Sequence, residues 1–327
     1  MIDLPIISLG SPYGIGYEIF LRSLSTDIYK DVKPFCVGSV NILKSFCKLL
    51  DINCKFNEYK FDDLEKITIN DNKDFSIINI DEYSSNVAIN TINENMDGKI
   101  AFDTINMTAD LVKNGYFNSV VTLPVSKKNI NIFDKTFTGH TEFYQKRWNE
   151  KQVFMTFISD KINLLLLTTH IPLKDVPKAI TKDLLIDAIN TSLDLVKKLN
   201  INKKICVVGI NPHAGENGLL GDEENMMKEV LNEMNNPILV GPIPADTAFL
   251  ESMRSKFGLY ITPYHDQGLI PFKMLSFDDG VNLSFGMKYI RTSVDHGTGV
   301  DLIGKKTAGI NSFLSAYNLA LKLTQNS

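Results

Sequence analysis

Cysteine is scarce. Only Cys36, Cys47, Cys54 and Cys206 occur among 327 residues, with no two-residue spacing and no neighbouring histidine pair of the kind that builds a zinc knuckle. Reduced, buried thiols are therefore expected. An excess of positive charge is also missing: 34 lysines and arginines face 38 aspartates and glutamates, a formal charge of −4. Without a basic field, neither a nucleic-acid backbone nor an anionic membrane surface is an expected partner. No apolar run approaches the roughly 20 residues needed to span a bilayer; the longest, such as 164–167, are strand-sized. Residues 1–9 lack the basic start and cleavage-site pattern of a secretion signal. No repeat or low-complexity tract is visible, although Asn and Lys crowd residues 53–95, which read as surface-rich and variable. What remains is the expectation of a cytoplasmic protein acting on a small molecule.

Hydrophobic residues make up 44% and charged residues 22% of the chain, the balance of a globular protein with a sizeable core. Its length exceeds the usual size of one core, so two lobes are expected. Short apolar runs at 5–9, 34–38, 76–80, 119–123, 164–168, 204–210, 237–240 and 258–262 alternate with longer amphipathic stretches, the pattern of βα units. Within 182–199, Leu184, Leu185, Ala188, Ile189, Leu193 and Val196 recur at helical spacing, which predicts a helix packed on a sheet. The fold class is α/β, two-lobed, with largely parallel sheets.

In such sheets ligands sit beyond the carboxyl ends of strands. Three of only five histidines, His170, His213 and His265, each follow a predicted strand by one to three residues. Three imidazoles at one sheet edge, with open positions left over, have the composition of a catalytic metal site. His140 and Thr141 follow Gly139 at a probable helix start, which could receive an anion or simply be capped by a hydroxyl. Lys273 and Arg291 lie on either side of the uncharged stretch 280–287, which includes Asn282; both could hold anionic groups, Arg through its planar fork. The segment from Arg291 through His296, Gly297 and Thr298, followed by Asp301, Gly304 and Lys305, reads as a loop whose glycines let a phosphate approach the backbone.

Taken in order, Thr138-Gly139-His140-Thr141-Glu142, Asn211-Pro212-His213-Ala214-Gly215-Glu216, Gly241-Pro242 with Pro244-Ala245-Asp246-Thr247, Tyr264-His265-Asp266-Gln267-Gly268, and Arg291-Thr292-Ser293-Val294-Asp295-His296-Gly297-Thr298 resemble the 4-hydroxythreonine-4-phosphate dehydrogenase family over nearly the whole chain. The resemblance implies metal ligation by His170, His213 and His265, and substrate contacts from His140, Thr141, Lys273, Asn282 and Arg291. It implies one divalent ion (zinc, magnesium or cobalt), NAD or NADP held near His296, Gly297, Asp301 and Gly304, and a homodimer whose partner subunit completes each site. The implied fold is similar to isocitrate and isopropylmalate dehydrogenases. Approximate lobes of 1–125 with 265–327, and of 126–264, would then flank an active-site cleft. One departure stands out: the family's opening loop has an acid after its first glycine and a proline before its last acid, where this chain has Ser11 and Tyr17.

The implied chemistry is oxidation of 4-phosphooxy-threonine to 2-amino-3-oxo-4-phosphooxybutanoate, which loses CO2 to give 3-amino-2-oxopropyl phosphate, a step of pyridoxal phosphate biosynthesis. The ion would act as a Lewis acid toward the secondary hydroxyl while the nicotinamide takes hydride. Asp246 and Asp266 are candidates for the proton acceptor. Competing readings are a related dehydrogenase acting on another phosphorylated hydroxy acid or a cyclic diol, a zinc-dependent hydrolase, and a metal-bound small-molecule sensor.

Overall fold

The computed structural model describes residues 2–325 except 31, 68–72, 82–88 and 90–91. Twelve strands run in chain order: β1 (Ile2–Ser8), β2 (Phe35–Gly38), β3 (Phe56–Tyr59), β4 (Phe75–Asn79), β5 (Phe117–Thr122), β6 (Phe154–Ile158), β7 (Leu164–Leu166), β8 (Lys204–Val208), β9 (Leu239–Ile243), β10 (Phe257–Thr262), β11 (Val281–Phe285) and β12 (Ile290–Val294). The eight sequence-predicted strands are all present, within a few residues at their ends. β3, β6, β11 and β12 were not anticipated. β3 and β4 lie in the segment 53–95 read as surface-rich, of which 68–72, 82–88 and 90–91 lie outside the described residues.

The chain forms two compact units, one running through Lys151 and resuming at Met287, the other spanning Gln152–Gly286. The boundaries expected from sequence, approximately 125/126 and 264/265, lie 26 and 22 residues before these. In the first unit the strand order is β3-β4-β2-β1-β5-β12, and every pairing is parallel. Successive residues of β5 face opposite sides, as a pleat requires: Ser119 accepts a hydrogen bond from Thr324 of the helix Asn311–Gln325, while Val120 shares a core with Ala109 and Val112 of the helix Glu94–Lys113. The sheet is thus covered on both faces, which parallel pairing demands. The helix His140–Trp148 belongs here too, because Trp148 Nε1 donates to the Ala109 carbonyl at 3.0 Å.

In the second unit the order is β11-β6-β7-β10-β8-β9. β7, β10, β8 and β9 are parallel, whereas β6 runs antiparallel to both β7 and β11. The predicted helix is Lys182–Lys198, opened by Thr181, whose hydroxyl accepts from the Leu184 amide at 3.2 Å. Its buried stripe is Leu185, Ala188, Ile189, Ser192, Leu195 and Val196. Leu184 and Leu193 lie at its margin, half-buried. Each large aliphatic side chain taken fully from water contributes about 1.5–3 kcal/mol, so this stripe, more than propensity, holds the helix in place.

Candidate active site

In the second unit, β7, β10 and β8 are consecutive parallel neighbours. His170, His265 and His213 follow these three strands, so the chain brings all of them to the same carboxyl edge. The His170 and His265 rings lie 5.7 Å apart, centroid to centroid. His265 opens the helix His265–Ser276, and its Nδ1 is 2.7 Å from Asp266 Oδ1. That bond fixes the ring and leaves Nε2 to meet a ligand, the usual carboxylate support of a metal-binding imidazole. The helix can close on its strand only because residue 268 is glycine: a Cβ there would lie 2.7 Å from Thr262 Oγ1.

His213 is exposed and sits differently. It begins a run of six positive φ angles, His213, Ala214, Gly215, Glu216, Asn217 and Gly218, only two of which glycine makes easy. Each non-glycine residue so held costs on the order of 1–3 kcal/mol, and such strain concentrates at functional loops. What holds the run is Glu224, a buried carboxylate. Its Oε1 accepts from the Ile210 and Asn211 amides at 2.8 and 2.7 Å, and its Oε2 from Asn211 Nδ2 at 3.0 Å. A Cβ at Gly215 would stand 2.6 Å from that same Oε2. Among the described residues no three His, Cys, Asp or Glu are gathered as a ready cluster; the pair His170 and His265 is assembled, and His213 is presented on its strained loop. Imidazole donors with a carboxylate behind one of them suit a zinc-like ion.

The same unit carries Lys273 and Asn282. Lys273 is half-buried on the helix His265–Ser276, 5.7 Å from the Phe277 ring. Asn282 is half-buried on β11. Of the proton-acceptor candidates, Asp266 is engaged with His265 and Asp246 is exposed.

His140, Thr141 and Arg291 belong to the first unit. Arg291 is a residue of β12, not of a loop, and is 3% exposed. It donates to Thr141 Oγ1 at 3.3 Å and to Thr122 Oγ1 at 2.8 Å, with its guanidinium 5.9 Å from the centre of the Tyr144 ring. Burial lowers its pKa to about 10, against the raising influence of Tyr144 and Glu142. Two hydroxyls thus orient the fork. His140 starts the helix His140–Trp148, and its buried Nε2 has no hydrogen-bond partner. Burial, together with the charges of Arg291 and Lys127, holds that imidazole well below its ordinary pKa. The buried Arg291 cation, Lys127 and a neutral imidazole with an unused nitrogen form a group suited to an oxyanion.

His296, Gly297, Asp301 and Gly304 share one loop, also in the first unit. His296 is exposed, with Nδ1 3.0 Å from the Gly297 carbonyl oxygen. The loop rests on the segment after β1: the Ile15 amide donates to Thr298 O at 2.9 Å, and the Gly304 amide to buried Glu18 at 2.7 Å. The departures at 11 and 17 are absorbed nearby. Ser11 Oγ donates to Asp97 Oδ2 at 3.1 Å, and Asp97 Oδ1 accepts from the Tyr13 amide at 2.7 Å. An acid is thus supplied to the opening loop from the helix Glu94–Lys113. The Tyr17 hydroxyl accepts from the Ser39 amide at 2.9 Å.

Residues 30–320 match the profile of a family described as pyridoxal phosphate biosynthetic protein PdxA. The chain belongs to the PdxA family. It is 37% identical to a 4-hydroxythreonine-4-phosphate dehydrogenase of Pseudoalteromonas translucida, over 98% of this chain and 96% of that one. It is 32% identical to an Oceanobacillus iheyensis protein named as a candidate D-threonate 4-phosphate dehydrogenase, over 97% and 96% of the two chains. The crystal structure of a 4-hydroxythreonine-4-phosphate dehydrogenase from Klebsiella pneumoniae superposes with a TM-score of 0.82 at 28% identity, covering 99% of each chain.

Within this PdxA-family chain, sequence reasoning missed Lys127, Glu224, Asp97 and Glu18. Only Lys127 carried a signal, its place just after β5. Glu224→Gln keeps the volume but faces one amide donor with another at Asn211, and supporting carboxylates of this kind are worth roughly 10- to 100-fold in metal affinity. Zinc titration of this variant, with circular dichroism to confirm folding, should show a loss within that range; an unchanged affinity would remove Glu224 from the site.

His140 gives a pH expectation. Its folded pKa lies below the unfolded value, so the unfolded chain gains a proton that the native chain refuses. The stability it contributes is complete above about pH 6.5 and is lost as pH falls toward the depressed value. The denaturant midpoint should drop between about pH 7 and about pH 5, and less steeply in His140→Phe. Parallel slopes for the two proteins would show that His140 is not the titrating group.

Proposed function

We propose that the chain oxidises 4-hydroxythreonine 4-phosphate with NAD or NADP, giving 2-amino-3-oxo-4-phosphooxybutanoate, which loses CO2 to form 3-amino-2-oxopropyl phosphate. The observation that carries this reading is the buried Arg291, oriented by Thr141 and Thr122 near His140, whose buried Nε2 has no hydrogen-bond partner: a guanidinium fork beside an unused imidazole nitrogen suits an oxyanion. When bound, the nicotinamide supplies the hydride acceptor, and a divalent ion on imidazole nitrogens supplies Lewis acidity toward the secondary hydroxyl. The residues of the chain do the rest. Arg291, Thr141 and His140 bind the anionic end of the substrate, with His140 neutral and able to give or accept one hydrogen bond. Lys273 and Asn282 are the further substrate contacts that the family resemblance implies. His170, His213 and His265 are the ligand set, with Asp266 orienting His265 and Glu224 holding the His213 loop. The loop from His296 to Gly304 is assigned to the nucleotide.

A homodimer fits this reading. The outer face of the helix His265–Ser276 leaves Ile270 60%, Met274 81% and, just past its end, Phe277 71% exposed, an apolar stripe at helical spacing of the kind that pairs with a second copy. No helix among the described residues is long and apolar enough to cross a membrane.

A second reading rests on the relative named for D-threonate 4-phosphate: the same residues would oxidise a phosphorylated hydroxy acid lacking the amino group. The appearance of reduced nicotinamide with each of the two phosphorylated substrates decides between them. Activity with neither, alongside hydrolysis of a phosphate ester, would overturn both.

A further inference from the structure

The helix Val40–Leu50 ends in a turn that reverses the chain. The Ile52 amide donates to Cys47 O at 2.9 Å and the Asp51 amide to Lys48 O at 3.4 Å, with Asp51 at φ 54° and ψ 45°. This paired closure, with one residue in the left-handed region, is the Schellman arrangement. It folds residues 52–54 back over the last helical turn. Lys55 is then pinned to Asp74, its amide donating to Asp74 Oδ2 and its carbonyl accepting from the Asp74 amide, both at 2.7 Å. Held at both ends, Cys54 presents its sulfur to Cys47 at 3.4 Å.

The other two cysteines, Cys36 and Cys206, are buried, whereas Cys47 and Cys54 are half-buried, contrary to the expectation of four buried thiols. Cys54 also lines an open cavity of about 410 Å³ beside Arg22 and Asp74, wide enough for a small oxidant to reach its sulfur. None of this belongs to the site described above.

We propose that Cys47 and Cys54 are a redox-active dithiol, a site of reversible oxidation by hydrogen peroxide. The Cys54 thiolate attacks one peroxide oxygen, forming a sulfenic acid and releasing water once the leaving hydroxide takes a proton. The Cys47 sulfur then displaces the sulfenic oxygen as a second water, so that two thiols and one peroxide give one disulfide and two waters. Bonded sulfurs stand about 2.05 Å apart, so closure requires an approach of roughly 1.4 Å, within reach of the irregular segment after the helix. Hydrogen bonding from Cys47 favours ionisation of Cys54 and raises the pKa of its partner, which sets the order of attack.

The test uses the full-length protein, reduced, treated with hydrogen peroxide, then alkylated under denaturing conditions and weighed intact. Four thiols are free before treatment; two should remain labelled after it, and dithiothreitol should restore the rest. Trypsin cuts after Lys48, so the disulfide should appear as the peptides 45–48 and 49–55 joined. Cys47→Ser should accumulate a sulfenic acid at Cys54 that dimedone traps. Retention of four labels, oxygen addition without the joined peptide, or dimedone capture at Cys47 in Cys54→Ser in place of capture at Cys54 would each overturn the proposal.

Discussion

Arg291→Lys is expected to raise KM for the phosphorylated substrate by roughly 10- to 150-fold, the loss that accompanies one charge-assisted hydrogen bond worth ~1.5–3 kcal/mol. Two effects act together. The Thr141 and Thr122 hydroxyls are met by two nitrogens of one planar group, and the one nitrogen of an ammonium cannot stand in both places. Burial already lowers the guanidinium to about 10. An ammonium begins nearer neutrality than a guanidinium, so the same desolvation brings it closer to losing its charge. Metal content should be unaffected. Kinetics with the phosphorylated substrate and its dephosphorylated counterpart separate the outcomes: the penalty should vanish for the latter. If KM for the phosphorylated substrate is unchanged, Arg291 is structural.

His213→Asn should abolish retained metal and lower kcat by about 10³-fold or more, since Lewis-acid stabilisation is worth several kcal/mol. Asparagine is the better replacement because His213 has φ 53°, and asparagine tolerates the left-handed region while alanine adds strain. The variant should therefore fold, and metal analysis after dialysis reads the ligand directly. Full metal content with normal turnover would show that the loop faces solvent for another reason.

Eight of the twelve strands and the placing of three histidines after strands were legible because both follow from short apolar runs and from what comes immediately after them. Other parts were not. Val281-Asn282-Leu283-Ser284-Phe285 alternates apolar and polar residues, the signature of a half-buried strand, but its neighbours Gly280 and Gly286 read as loop. Arg291 was placed in a loop because Gly297 and Gly299 follow closely, whereas its own neighbours are β-formers. Glu224 stands in Asp222-Glu223-Glu224, which reads as the solvated first turn of a helix; only Gly209 and Gly215, brought against it in space, leave room for a buried carboxylate. Nothing in Pro212-His213-Ala214-Gly215-Glu216-Asn217 announces five left-handed residues, because tertiary hydrogen bonds and not local preference decide that conformation. Asp97 and Ser11 meet across 86 positions of sequence, a distance over which no local pattern speaks.

The first unit is built from two stretches of chain, and its β5 pairs on one side with β1 and on the other with β12. A ribosome therefore delivers β5 long before its second neighbour. At ~5–20 residues per second, the second unit takes on the order of ten seconds to emerge, and throughout that interval the nascent chain carries β5 with one row of amides and carbonyls bare. The second unit, contiguous from Gln152 to Gly286, has all its strands in hand by then. A chain released early, before Ile290–Val294 and the helix Asn311–Gln325 are made, keeps a complete second unit and a first unit with an open parallel edge, the kind of surface on which other strands add.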